Sequence, residues 1–191
     1  MSHPEQERAR TYLRDRGTLA PAAQVAAQVA EAFHTLESAL EAASAEAART
    51  RPLPGEWSVQ EIADHLLVTN RASVDELRAL VEGRSPGTGP IPAGLQSPDP
   101  FARPWPELLR ELRAVDAEFT GLLASASDAT PLEGRAEVVM VVNVKGADGA
   151  VAPLEWVEAF DWKAYGMVNR LHAIDHLHQA RRVLRALDGT R

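Results

Sequence analysis

Four long stretches of this sequence place apolar residues at spacings of three and four, and this pattern restricts the fold more than any other feature. The first stretch shows it most plainly, with the apolar residues Val25, Val29, Phe33, Leu36 and Leu40. This spacing produces one apolar stripe along an α-helix, whereas a half-buried strand alternates. Because each helix must bury its stripe against the others, the sequence predicts an all-α four-helix bundle.

The second stretch has the best-defined beginning. Ser58 and Glu61 have the spacing of a capping box, in which each side chain binds the backbone N–H of the other residue. Trp57 and Ile62 flank them as a hydrophobic staple does, and Gly83 closes the helix at its other end. The predicted helices span residues 22–48, 58–81, 105–126 and, from a start between residues 153 and 162, up to 187.

The remaining segments are predicted as additions to one domain covering residues 1–191. Residues 1–20 form an N-terminal extension with a short surface helix that Gly17 ends. Residues 83–103 are rich in proline and glycine, which predicts a long loop that is either a lid over a site or a mobile connection. Residues 136–152 contain a β-branched run and a glycine-rich turn, which predicts a small β-hairpin between the third and fourth helices.

Charge and composition exclude several classes of function. Acidic residues number 27 and basic residues 20, a net charge of −7 that disfavours nucleic-acid binding. No stretch is apolar enough to span a membrane and no secretory signal is recognisable, so a cytoplasmic location is expected. The chain has no cysteine, so any thiol used in chemistry must come from a second molecule.

Two of the six histidines stand four residues apart in the last predicted helix. His172 and His176 therefore lie one above the other on a single face, which Val168, Val183 and Leu187 mark as the buried face. Two imidazoles in a core need polar partners. A metal ion would satisfy both, and hydrogen bonds to other core groups are the alternative.

His65 offers a third imidazole from the second helix, beside Ile62 and Leu66. A set of three histidines leaves a coordination position open, as catalytic zinc sites do, and imidazole also suits nickel or iron. The alternative for His65 is a histidine at the edge of the core. His34 is a candidate fourth ligand that no spacing requires.

Two motifs resemble those of the DinB/YfiT superfamily of metal-dependent four-helix bundles. They are Trp57-Ser58-x-x-Glu61-x-x-x-His65-Leu66 and His172-x-x-x-His176-Leu177-x-Gln179. The resemblance implies an up-down-down-up bundle, a homodimer, and a divalent ion held by the three histidines. Zinc or nickel is the expected ion, with iron or manganese as alternatives.

The resemblance implies no single reaction. Some members of the family are transferases or isomerases that use a low-molecular-weight thiol, and a thiol transferase acting on a small molecule is the first hypothesis here. A metal-dependent hydrolase and a non-catalytic dimeric stress-response or binding protein are the alternatives. Glu61, one turn before His65, is a candidate to orient that ligand or to act as a base, with helix capping as the alternative, and Gln179, one turn from His176, is a candidate to orient that ligand.

Overall fold

The computed structural model describes residues 3–52, 54–145 and 149–189. A π-helical turn, Arg14–Thr18, follows the first helix. The helices and strands are α1 Pro4–Leu13, α2 Ala22–Glu41, α3 Ala45–Arg49, α4 Val59–Val81, α5 Trp105–Ser125, β1 Ala136–Lys145, β2 Val151–Phe160 and α6 Trp162–Asp188.

The four long helices α2, α4, α5 and α6 form the predicted bundle. Helix α2 packs against α5 and α6, and α4 packs against the same two helices. The apolar stripes meet in one core, where Phe33 of α2 and Phe119 of α5 lie with their ring centroids 5.6 Å apart. This arrangement makes α4 and α6 neighbours, so side chains on their facing stripes can share one groove.

The predicted capping box of α4 is confirmed. The Glu61 backbone N–H donates to Ser58 Oγ at 3.3 Å, and the Ser58 N–H donates to Glu61 Oε2 at 2.8 Å. At the far end Gly83 has a φ of +77°, a left-handed conformation that costs glycine little and ends the helix. The register of α4, and with it the direction of His65, is therefore fixed by local sequence.

Two predicted boundaries near the N-terminus were wrong. The helix predicted over residues 22–48 is divided, because Ser44 accepts a hydrogen bond from the Ala47 N–H and so starts α3 as a separate helix. Gly17 does not end a helix but lies inside the π-helical turn, buried against α6. A Cβ at Gly17 would stand 2.7 Å from Ala164 Cα, so this glycine permits close packing.

The predicted hairpin lies between α5 and α6 but is longer than residues 136–152. Strand β2 continues to Phe160 and pairs antiparallel with β1, with Met140 opposite Trp156. Asp161 then caps α6 by accepting from the N–H groups of Lys163 and Ala164, which explains the late start of that helix. The predicted turn lies at residues 146–149, of which 146–148 are outside the described residues.

Within the ranges that the structure describes, no helix combines the length and the apolar character needed to cross a membrane.

Candidate metal centre

The structure brings His65 of α4 together with His172 and His176 of α6. His172 Nε2 lies 2.9 Å from His65 Nε2 and 3.1 Å from His176 Nε2. The three ring nitrogens converge on one point between the two helices. His65 is buried, and the other two histidines are half-buried. The predicted triad therefore exists as a geometric unit.

Two of the three imidazole rings are held by hydrogen bonds at Nδ1, the nitrogen that does not face the other rings. His65 Nδ1 lies 2.6 Å from the carbonyl oxygen of Leu95, and His176 Nδ1 lies 2.8 Å from Gln179 Oε1. An oxygen of this kind can only accept, so each Nδ1 carries the proton and donates it. In a neutral imidazole Nε2 then has no proton, and its lone pair is aimed at the point of convergence.

This arrangement fits a divalent cation. Three Nε2 atoms face one another, and His172 can supply at most one proton, so at least two lone pairs are opposed with no hydrogen between them. Metal–nitrogen distances of about 2.0–2.1 Å correspond to nitrogen–nitrogen distances of roughly 2.9–3.4 Å for tetrahedral or octahedral ligands. The observed 2.9 and 3.1 Å lie in this range.

The environment keeps the imidazoles neutral. Burial lowers the pKa of His65, and it lowers the pKa of His176 to about 4. Burial and the two neighbouring imidazoles hold the pKa of His172 well below its usual value. Because protons compete with metal ions for the same lone pairs, these shifts favour metal binding at neutral pH.

Trp57 forms one wall of the centre. Its ring lies parallel to His176 with an interplanar angle of 9° and 6.3 Å between centroids, and its centroid is 5.1 Å from that of His65. Trp57 precedes the cap of α4, so the cap that orients the helix also positions this ring. The tryptophan limits the movement of two imidazoles and screens them from water.

Asp64 fixes the long loop that supplies the Leu95 carbonyl. The buried Asp64 carboxylate accepts hydrogen bonds from the N–H and the Oγ of Ser97, both at 2.8 Å, and lies 3.3 Å from Arg103. Gln60, in the same turn of α4, donates to the carbonyl oxygens of Pro100 and Arg103. Part of the 83–103 loop is thus fastened beside His65.

The two predicted accessory residues have different positions. Gln179 contacts His176 directly, as its spacing suggested. The Glu61 carboxylate accepts from the Ser58 N–H and forms an ion pair with Arg51, which lowers the pKa of Glu61 against the opposing effect of burial. Glu61 therefore serves the helix cap and the Arg51 contact.

The other histidines do not join the triad. His34 is exposed on α2, and His178 is exposed on α6. His3 caps α1 by accepting from the Glu5 N–H at 3.2 Å. His34 is thus not a fourth ligand in this arrangement, because α2 lies on the opposite side of the bundle from α4.

A cavity of about 780 Å³ opens beside the triad. Strand β1 forms one wall with residues 137–143, and α4 and α6 form the others. Loop residues Ile91, Pro92 and Ala93 also line it. A cavity of this size holds a small organic molecule, and it places that molecule against the three imidazoles.

Three contributions to the centre were not found by sequence reasoning. The Leu95 carbonyl is a backbone acceptor, which any residue supplies, so no sequence signal exists for it. The role of Asp64 depends on a contact across 33 residues. Trp57 was interpreted as half of a hydrophobic staple, although it lies only eight residues before His65, which corresponds to about two helical turns.

Comparison with known proteins agrees with the fold described above. The structure is similar to that of YfiT from Bacillus subtilis, described as a probable metal-dependent hydrolase with an unusual four-helix bundle topology. The TM-score is 0.60, the identity 16%, and the match covers 87% of each chain, which establishes a shared fold. No curated protein matches the chain at a significant level.

The sequence also matches a family model directly. The model of the DinB superfamily matches residues 28–147, more than half of the chain. The match includes His65 with its capping motif and ends before α6. The chain therefore belongs to the DinB superfamily.

Proposed function

We propose that the chain is a metal-dependent enzyme whose divalent ion, zinc or nickel, is held by His65, His172 and His176. The observation that carries the proposal is the convergence of three Nε2 atoms at the wall of a large cavity. Structural zinc sites usually have four protein ligands, whereas three leave a position open. An ion in such a site supplies Lewis acidity, which lowers the pKa of a coordinated thiol or water.

The surroundings favour a thiol as the nucleophile. Among the residues that the structure describes, no carboxylate joins the three imidazoles, and Glu61 is occupied by Ser58 and Arg51. Among the described residues, the cluster of ligating atoms therefore contains no carboxylate that could act as its base. A thiol, with an ordinary pKa of about 8.5, needs less help to ionise than water does. Since the chain has no cysteine, the thiol is a low-molecular-weight cosubstrate.

The proposed reaction is transfer of this thiol to a small electrophile. The S–H proton passes to solvent, the sulfur forms a bond to the electrophilic carbon, and the leaving group departs with the bonding electron pair. The chain's part is to hold both molecules in one cavity. The apolar side chains of β1, including Val138 and Met140, offer a surface for the electrophile.

Hydrolysis is the second candidate, and the structural similarity to YfiT favours it. Water would then replace the thiol, and the cavity would hold one substrate. A non-catalytic bundle with a vestigial site is the remaining alternative. The proposal also includes the up-down-down-up course of the helices, a cytoplasmic location and a homodimer. Size-exclusion chromatography with light scattering tests the homodimer.

The test begins with metal analysis of the purified protein. The metal-loaded protein is then assayed with several biological thiols and monochlorobimane, and with ester and amide substrates in parallel. We expect thiol consumption in the wild type, its loss in His172→Ala, and its retention in His34→Ala, which removes an exposed histidine. Turnover of esters or amides without thiol would favour the hydrolase. Bound metal without turnover of any kind would contradict the enzyme proposal.

A further inference from the structure

A second polar group lies in the same cavity, away from the triad. Glu76 of α4 lines the cavity and is only 6% exposed. Its Oε2 accepts a 2.6 Å hydrogen bond from the hydroxyl of Tyr165, and Thr88 Oγ1 lies 3.4 Å from its Oε1. Ser73 and Asn169 line the same part of the wall. A carboxylate is thus positioned by hydroxyl groups inside a cavity that admits a ligand.

This carboxylate has no cation beside it in the part of the chain that is described: its partners are hydroxyl groups. Burial raises the pKa of Glu76, and the hydrogen bonds from Tyr165 and Thr88 oppose the rise only in part. A buried carboxylate without a counter-charge is costly, and natural proteins usually pair it. A positively charged group on a ligand would supply the missing charge.

The other carboxylates around the cavity add to the same negative charge. Glu137 and Asp175, both exposed, also line it. Among the described lining residues the one lysine or arginine is Arg182, which forms an ion pair with Glu56 at 2.8 Å. The cavity therefore attracts cations and repels anions away from the metal centre.

The separation of the two polar groups sets the length of the ligand. Tyr165 precedes His172 by seven residues on α6, which corresponds to about 10 Å of helix, and Glu76 follows His65 by eleven residues on α4, or about 16 Å. Between them Thr69 and Val168 line the groove. A ligand that reaches both the triad and Glu76 is therefore an elongated molecule of about 10–16 Å.

From these contacts we infer that Glu76 and Tyr165 form a subsite for a primary ammonium group, carried at the far end of a substrate whose reacting end lies at the three histidines. The inference rests on the proposed function only where it places the reacting end of the substrate at the three histidines. The ammonium group donates to the Glu76 carboxylate, and the Tyr165 hydroxyl keeps that carboxylate in place. The substrate class is accordingly an elongated amine.

The test uses simple probes on the full-length protein. Hexylamine, hexanol and hexanoate are titrated calorimetrically into the wild type, Glu76→Gln, and Asp75→Asn, which removes an exposed carboxylate from the adjacent position of the same helix. We expect hexylamine to bind at least 10-fold tighter than hexanol to the wild type. The preference should vanish in Glu76→Gln and persist in Asp75→Asn.

The same titrations in His172→Ala separate this subsite from the metal centre. Retention of the amine preference there, with thiol turnover lost, supports the subsite independently of the reaction. Equal affinity of the wild type for hexylamine and hexanol would overturn the inference, even if Glu76→Gln failed to fold. An unchanged preference in Glu76→Gln, or one lost in His172→Ala because the amine binds the metal, would overturn it as well.

Discussion

Two grooves of this bundle contain histidine and carboxylate side chains, and only one of them has the geometry of a metal centre. The groove between α4 and α6 contains the triad, with its ring nitrogens 2.9 and 3.1 Å apart. The groove between α2 and α5 has a cleft of about 330 Å³ lined by His34, Glu37 and Asp116. Residue type is similar in the two grooves, so the difference lies in how the side chains are held.

In the α4–α6 groove the hydrogen bonds at Nδ1 of two imidazoles leave their Nε2 lone pairs directed at one point. Leu95 and Gln179 accept from two imidazoles, and Trp57 packs against both of those rings. In the α2–α5 groove the contacts among the described residues leave one carboxylate oxygen without a partner instead. Asp116 Oδ1 accepts from Asn70 at 2.7 Å, and its Oδ2 has no hydrogen-bond partner among the described residues. A cation site is therefore distinguished by several electron-pair donors that face one point and are held in place by neighbouring residues.

The largest effect is expected from removing one ligand. His176→Ala should weaken divalent-metal affinity by on the order of 100-fold or more, because two imidazoles remain where three bound the ion. His34→Ala, in the other groove, should leave the affinity unchanged. Competition titrations with a chromogenic chelator measure both. Equal losses in the two variants would remove the distinction between the grooves.

A smaller effect is expected from replacing Gln179, which is hydrogen-bonded to the ligand His176. Gln179→Ala removes the acceptor for His176 Nδ1–H and frees the ring to rotate, which should weaken metal affinity about 10-fold. Gln179→Glu keeps an acceptor and serves as the matched control. The same chelator competition applies. An affinity in Gln179→Ala equal to that of the wild type would show that the ring is oriented by packing alone.

The smallest effect concerns the α2–α5 groove and its pH dependence. Burial, with the neighbouring Glu37 carboxylate adding to it, raises the pKa of Asp116 to about 8, so the folded state keeps a proton that the unfolded state loses above its pKa of about 4. Stability from this group is therefore fully present in acid and is lost as pH rises from about 4 through 8. Asp116→Asn, which has no titratable carboxylate, should remove at least roughly 1 kcal/mol of that loss.

Urea unfolding of wild type and Asp116→Asn at pH 5 and pH 9 measures this difference. The variant should gain on the wild type at pH 9 and keep its metal affinity at both pH values. A gain at pH 5 that disappears at pH 9 would reverse the sign and contradict a protonated Asp116.

The bundle and the His172–His176 pair were predictable because both depend on local sequence. The spacing of three and four fixes which face of each helix is buried, and the Ser58–Glu61 box fixes where α4 starts. His172 and His176 share a face by spacing alone. The position of His65 follows once α4 and α6 are neighbours.

What could not be predicted depends on contacts between distant segments. The Leu95 carbonyl reaches His65 because Asp64 binds Ser97, and no local signal encodes that meeting. The length of β2 was missed because the residues from Pro153 to Phe160 mix apolar and acidic side chains, and their pairing with β1 decides the strand. Gly17 was interpreted as a helix stop, although its use is close packing against Ala164.

The central claim is that three imidazoles bind one divalent ion, and a crystal structure of the metal-loaded protein tests it most directly. Diffraction data collected at the absorption edge of the bound metal would locate the ion by anomalous scattering. The account predicts one strong peak at about 2.0–2.1 Å from the Nε2 atoms of His65, His172 and His176. A metal-loaded protein with no peak between these rings, or with a peak contacting fewer than three of them, would contradict it.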